Sequence, residues 1–163
     1  MKLNFLKILF IFFILSNAHA VDIGDTAPNW QLKNGYGENV DFYQDTRDKV
    51  SVLIYWASWC PYCASLMPHL QELVNQYSEN NEVVFYAMNI NETADPKRHM
   101  QEQGYSFDLI MNADPTMDDY NVPGTPNIFV IDKYNKVVFR RVPDTPDVDV
   151  KNGVQKAIAA ALN

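Results

Sequence analysis

An α/β domain built on one mixed sheet is the fold class this sequence predicts, and three observations carry it. Val50–Trp56 (VSVLIYW) and Val83–Ile90 (VVFYAMNI) are nearly continuous apolar, β-branched and aromatic runs, the pattern of strands buried on both faces. Between them Leu66, Leu70, Leu73, Val74 and Tyr77 recur at helical spacing, so strand and helix alternate. Asn127–Asp132 (NIFVID) and Lys136–Arg141 (KVVFRR) flank Lys133-Tyr134-Asn135 as an antiparallel hairpin, which makes the sheet mixed.

The chain has 163 residues, of which 20 are acidic and 13 basic, for a net charge of −7. That length suits one domain. The acidic balance argues against nucleic acid and anionic membrane surfaces as partners, since both attract lysine and arginine patches. Two cysteines rule out a multi-bridge scaffold and a four-cysteine zinc site.

Residues 1–20 read as a secretory signal peptide. Lys2 and Lys7 give a positive start, Ile8–Leu15 is an unbroken apolar run, and Ala18-His19-Ala20 is a small-x-small cleavage site. The alternative is an uncleaved anchor, but a spanning helix needs roughly 20 apolar residues, and Lys7 interrupts this run. Cleavage after Ala20 leaves Val21–Asn163 as the domain, with a net charge of −9. The domain would enter a compartment where disulfides persist, and a bacterial periplasm is favoured.

Within the domain, Trp30–Phe42 holds two short strands around Asn34-Gly35-Tyr36-Gly37, an N-terminal hairpin. After Val50–Trp56, the helical spacing predicts a helix from Pro61 to about Ser78, kinked at Pro68. Thr93–Gln103 has weak helical character, Ser106–Met111 is a shorter strand, and Asp147–Leu162 is a last helix with Val150, Val154, Ile158 and Ala161 on one face.

The chemistry lies at Cys60-Pro61-Tyr62-Cys63, which follows a buried strand and opens a helix. Backbone N–H groups and the positive end of the helix dipole favour a thiolate at Cys60. Cys63, one turn further in, lies closer to the core and keeps the higher pKa. Cys60 is therefore the attacking cysteine and Cys63 the resolving one. Pro61 suits the first helical turn, where its missing N–H costs little. The competing readings are weaker. A permanent bridge over so short a loop returns little stabilisation. A metal site would have to recruit His69 or His99, and His69 lies six residues beyond Cys63 on the wrong helix face.

Val122-Pro123-Gly124-Thr125-Pro126 runs straight into the strand NIFVID. A proline at the mouth of a central strand is either an ordinary loop proline or one with a special role, such as a cis bond in a tight turn.

These pieces resemble the thioredoxin-like superfamily and, within it, the TlpA/ResA-like periplasmic thiol-disulfide oxidoreductases. The resemblance covers almost all of Val21–Asn163. It rests on Ile23-Gly24-Asp25-Thr26-Ala27-Pro28, on Tyr55–Cys63, on Pro68, and on Val122–Pro126 leading into Asn127–Asp132. It implies a thioredoxin-like fold, a central mixed sheet flanked by helices. The segment between Ile90 and Met111 would be the helix-strand insertion that separates this family from minimal thioredoxins. It also implies that Cys60 is the nucleophile, Cys63 resolves, Pro126 is a cis-proline packed against the disulfide, and Thr125 offers its backbone to an extended partner peptide. Ile54 and Leu66 depart from the pattern, standing where thioredoxins and ResA-like reductases carry a buried aspartate and a buried glutamate. Cys63 is thus left without an obvious base. Glu92, after the VVFYAMNI strand, is a candidate acid, because strand ends gather functional groups in α/β sheets. Its alternative is a solvated loop carboxylate.

Trp59 and Tyr62 flank the cysteines as candidate walls of an apolar docking surface, and Trp56 reads as core. Asp114, Asp118 and Asp119 form an acidic stretch that would select basic partners or simply be solvated. The reading is a single exported domain, monomeric and without cofactor or metal, that exchanges disulfides with periplasmic protein thiols and with a periplasmic or membrane redox partner. Reductase action is favoured. An oxidase or isomerase in oxidative folding stays open, as does a non-catalytic metallochaperone or assembly factor on the same scaffold.

Overall fold

The computed structural model describes residues 21–163. The signal-peptide expectation for residues 1–20 therefore lies outside the described residues. Seven strands form one sheet: β1 (Gln31–Asn34), β2 (Asn39–Asp41), β3 (Val50–Trp56), β4 (Val83–Asn89), β5 (Asp108–Met111), β6 (Asn127–Ile131) and β7 (Val137–Arg140). Their order across the sheet is β2-β1-β5-β4-β3-β6-β7. β3, β4 and β5 run parallel, and antiparallel pairs extend the sheet on both sides. The helices are α1 (Phe42–Asp45), α2 (Pro61–Gln76), α3 (Pro96–Gln103) and α4 (Asp147–Leu162). This is a thioredoxin-like fold with a mixed sheet, as the sequence predicts.

Alternation along β3 sorts the core into two layers. Val52, Ile54 and Trp56 face one way, packing with Leu66 and Leu70 of α2, Met100 of α3, and Val154 and Ile158 of α4. Leu53 and Tyr55 face the other way, toward Trp30, Phe42, Tyr86, Tyr120 and Phe129. Every residue of β3 is buried, which explains why its sequence is a continuous apolar run rather than an alternating one.

The hairpin forms where the turn residues place it. The Asn34 side chain accepts from the N–H groups of Tyr36 and Glu38, and Gly37 takes a φ of 83°, a conformation glycine adopts without strain. α1 is a feature the sequence reading lacks. Asp41 caps it by accepting from Gln44 N–H at 3.2 Å, and it buries Phe42 against Trp30, ring centroids 5.2 Å apart. α3 is shorter than Thr93–Gln103. Asp95 caps it through Arg98 N–H, Pro96 takes its first turn, and Gly104 ends it at a φ of 71°. β5 begins two residues later than Ser106. Ser106 exchanges two hydrogen bonds with the Gln71 side chain of α2, at 2.9 and 2.8 Å, in place of ladder bonds. β5 then joins the hairpin to the parallel core, pairing with β1 on one side and β4 on the other. α2 continues through Pro68 to Gln76.

Candidate active site

The end of β3, the start of α2, the loop after β4 and the mouth of β6 meet at one end of the sheet. Cys60 is the N-cap of α2, with extended backbone angles, and Pro61 follows in the first turn. This cap places the Cys60 sulfur over the first free N–H groups of the helix: Sγ accepts from Cys63 N–H at 3.3 Å. The thiol of Cys60 also lies 3.6 Å from the carbonyl oxygen of Thr125, to which it donates. The Thr125–Pro126 peptide bond is cis. The two cysteines are unlinked and buried, among Ile54, Trp56, Leu66 and Met67.

The electrostatics separate the two thiols. Desolvation pushes Cys60 up. Hydrogen bonds from the Cys63 thiol, from the Thr125 side chain, and from the N–H groups of Cys63 and Tyr62 outweigh it and hold Cys60 below its ordinary value. Cys63 is pushed up to about 12, first by burial and then by its hydrogen bond and proximity to Cys60. Ile54 and Leu66, both fully buried in the same cluster, surround it with hydrocarbon and add to that desolvation.

Tyr62 projects into solvent, 73% exposed, while Trp59 is 55% exposed. The Trp59 indole N–H donates to the Asn91 carbonyl at 2.8 Å. Asn91 N–H in turn donates to the Asp114 carboxylate at 2.8 Å, so the first of the three acidic residues is committed to the loop that holds Trp59. Trp56 is fully buried, its ring 5.7 Å from that of His99.

Glu92 reaches the loop before Cys60. Its carboxylate accepts from Ser58 N–H at 2.9 Å, Ser58 Oγ at 2.8 Å, Asn89 Nδ2 at 2.9 Å, Thr93 N–H at 2.9 Å and Ala94 N–H at 3.0 Å. Burial would raise its pKa, but these donors overcome burial and lower it to about 2.

The sequence reading missed Ser58, Asn89, Asn91 and Arg141 around this site. Arg141 donates to the Pro126 carbonyl at 3.2 Å from the far end of β7. No local motif marks any of the four; only the pairing of distant strands brings them here. Among the described residues, no group of three His, Cys, Asp or Glu side chains is arranged to hold a metal ion.

A dithiol at a helix start, beside a cis-proline at the mouth of a central strand, defines the class: a thioredoxin-like thiol-disulfide oxidoreductase. The chain belongs to the AhpC/TSA family, whose pattern residues 23–140 match. It is 31% identical to the thiol-disulfide oxidoreductase ResA of Geobacillus kaustophilus over 120 residues, 72% of this chain and 68% of that one. It is 28% identical to the thioredoxin-like protein YneN of Bacillus subtilis over 116 residues, 68% of this chain and 65% of that one. The matches thus span about two thirds of these relatives' lengths. Among solved structures, a candidate thiol:disulfide interchange protein DsbE from Chlorobium tepidum superposes with a TM-score of 0.76 at 28% identity, covering 88% of this chain and all of the other.

Proposed function

We propose that this chain is an exported, periplasmic thiol-disulfide oxidoreductase that reduces protein disulfides through Cys60 and Cys63. The observation that carries the reading is the position of Cys60 Sγ, 3.3 Å from the Cys63 N–H at the start of α2 and 3.6 Å from the Thr125 carbonyl. The Cys60 thiolate attacks one sulfur of a partner disulfide. A Cys60–partner bond forms, the partner S–S bond breaks, and the departing partner thiolate takes a proton from water. Cys63 then loses its proton and attacks the Cys60 sulfur, releasing the second partner thiolate, which is protonated in turn. The partner gains two electrons and two protons, and the chain is left with a Cys60–Cys63 disulfide.

Trp59 and Tyr62 serve as the exposed apolar surface against which a partner segment rests. Pro61 keeps the motif in the first helical turn, and the backbone of Thr125 before Pro126 pairs with the segment's own backbone. The chain works as a monomer, takes electrons from a periplasmic or membrane donor, and is delivered by cleavage after Ala20. The ResA relatives, named thiol-disulfide oxidoreductases, support the activity class.

One observation favours a second reading. A Cys60 thiol held below its ordinary value stabilises the reduced form, which moves a dithiol toward the oxidising end of its class. The reduction potential against glutathione decides between them. About −270 mV establishes a reductant, and about −120 mV establishes an oxidant and overturns the reductase reading.

A further inference from the structure

We infer that Glu92 is a positioning residue: its carboxylate clamps Ser58 from the end of β4 and so sets where the loop presents Cys60 at the start of α2. The inference rests on Cys60 being the nucleophile.

The geometry is a convergence of donors on one group. Oε2 receives the Ser58 and Asn89 N–H groups, and Oε1 receives the Ser58 hydroxyl and the Thr93 and Ala94 N–H groups. A carboxylate offers about four lone-pair sites and no hydrogen of its own, so it satisfies such a set where an amide does not. Two of the five donors belong to Ser58, two residues before Cys60 and 34 residues from Glu92 in sequence. The adjacent residue grips the same loop, since the Asn91 carbonyl accepts from the Trp59 indole. The last residue of β4 is recruited as well. Asn89 is buried and turns its amide nitrogen to Glu92, although its Oδ1 is then without a hydrogen-bond partner, an arrangement that costs free energy unless the carboxylate returns it. The end of β4 thus holds Ser58 and Trp59, and these carry Cys60 to the position where the helix N–H groups meet its sulfur.

This role differs from that of a proton relay. A carboxylate engaged by five donors has no free lone pair aimed at a thiol, and its acidity keeps it ionised through the neutral range. The two ways in which Glu92 can influence Cys60 also have opposite signs. If only its negative charge acts, removing the charge lowers the Cys60 pKa. If it positions the loop, removing the clamp lets Cys60 leave the helix N–H groups, and the pKa rises toward that of a free thiol.

The test is the rate of alkylation of the reduced full chain by iodoacetamide from pH 4 to 10, in wild type, Glu92→Gln, Ser58→Ala and Cys60→Ser, with thermal unfolding of each. Glu92→Gln is nearly isosteric but turns an NH2 group against several of the donors. The expected result is a Cys60 titration displaced upward, with each unit of displacement slowing alkylation about tenfold below the pKa. Ser58→Ala keeps the backbone donor and should move the curve the same way by less. A downward displacement in Glu92→Gln would show that the charge alone acts and would overturn the inference. So would a lowered Tm with an unmoved titration. If Glu92→Gln does not fold, Ser58→Ala decides: an unmoved titration there overturns the inference. The nucleophile assignment is read separately, because it fails if alkylation near neutral pH survives in Cys60→Ser.

Discussion

The Cys60 sulfur and the Cys63 backbone N–H are 3.3 Å apart, and this contact divides the pair into unequal halves. The outer cysteine caps the helix and draws on its free donors, whereas the inner one lies a turn deeper in the cluster with Ile54, Leu66 and Met67, where burial outweighs the donors that reach its sulfur. Two identical side chains three residues apart thereby acquire different acidities and different tasks.

The first prediction is the division of labour. Cys60→Ser abolishes disulfide exchange, and Cys63→Ser leaves a nucleophile that captures partners as stable mixed disulfides. Non-reducing gels of material pulled down with each variant check it. Trapped species from Cys60→Ser and none from Cys63→Ser would reverse the roles.

Stability of the reduced form depends on pH through both thiols. The Cys60 pKa is depressed in the fold, so its contribution is present above the ordinary thiol value of 9.0 and is lost as pH falls through the lower folded value. The Cys63 pKa is raised to about 12, so the folded state holds a proton that the unfolded chain releases, and the Cys63 contribution is lost as pH rises from about 9 toward 12. Between pH 8 and pH 10 the Cys60 contribution grows while the Cys63 contribution is lost, so the Cys63 effect is read in Cys60→Ala: its urea midpoint in the reduced form should fall with pH, and the fall should be smaller in Cys60→Ala/Cys63→Ala. An equal fall in both would remove Cys63 as its source.

Leu66→Glu tests the absence of a buried acid. Leu66 is fully buried in the cluster that contains both cysteines. A carboxyl group there costs on the order of a few kcal/mol of stability. It should also raise the apparent pKa of Cys60 and turn its single transition into two steps coupled to the new carboxyl. Thiolate absorbance against pH reads this directly. Two coupled steps already present in the wild-type Cys60 transition, well below that of Cys63, would contradict it.

Gly153 concerns packing rather than chemistry. A Cβ built at this position of α4 would lie 2.7 Å from the Phe139 ring of β7. Helix propensity favours Gly153→Ala by up to about 1 kcal/mol, but overpacking of this kind costs about 1–3 kcal/mol. The variant should be destabilised overall, and Phe139→Leu in the same chain should recover the loss. A more stable Gly153→Ala would show that the Phe139 ring moves aside freely.

The sequence by itself determined whatever depends on neighbours within a few residues. The apolar run of β3, the helical spacing of Leu66, Leu70 and Leu73, and the placement of Cys60 and Pro61 at a helix start follow from periodicity, backbone capping and the helix dipole, all short-range. The family resemblance added the turn at Pro126. Only the tertiary structure decided what distant elements bring to one another. β5 joins the hairpin to the parallel strands, α1 buries Phe42 on the face opposite α2, and Ser106 answers to Gln71 rather than to a strand ladder. The same holds at the site. Glu92 stands in sequence as an acid at a strand end, open to several uses, and its meeting with Ser58 comes from the parallel register that sets Trp56 beside Asn89. Such contacts depend on the summed burial and hydrogen bonding of whole elements, which no short stretch of residues encodes.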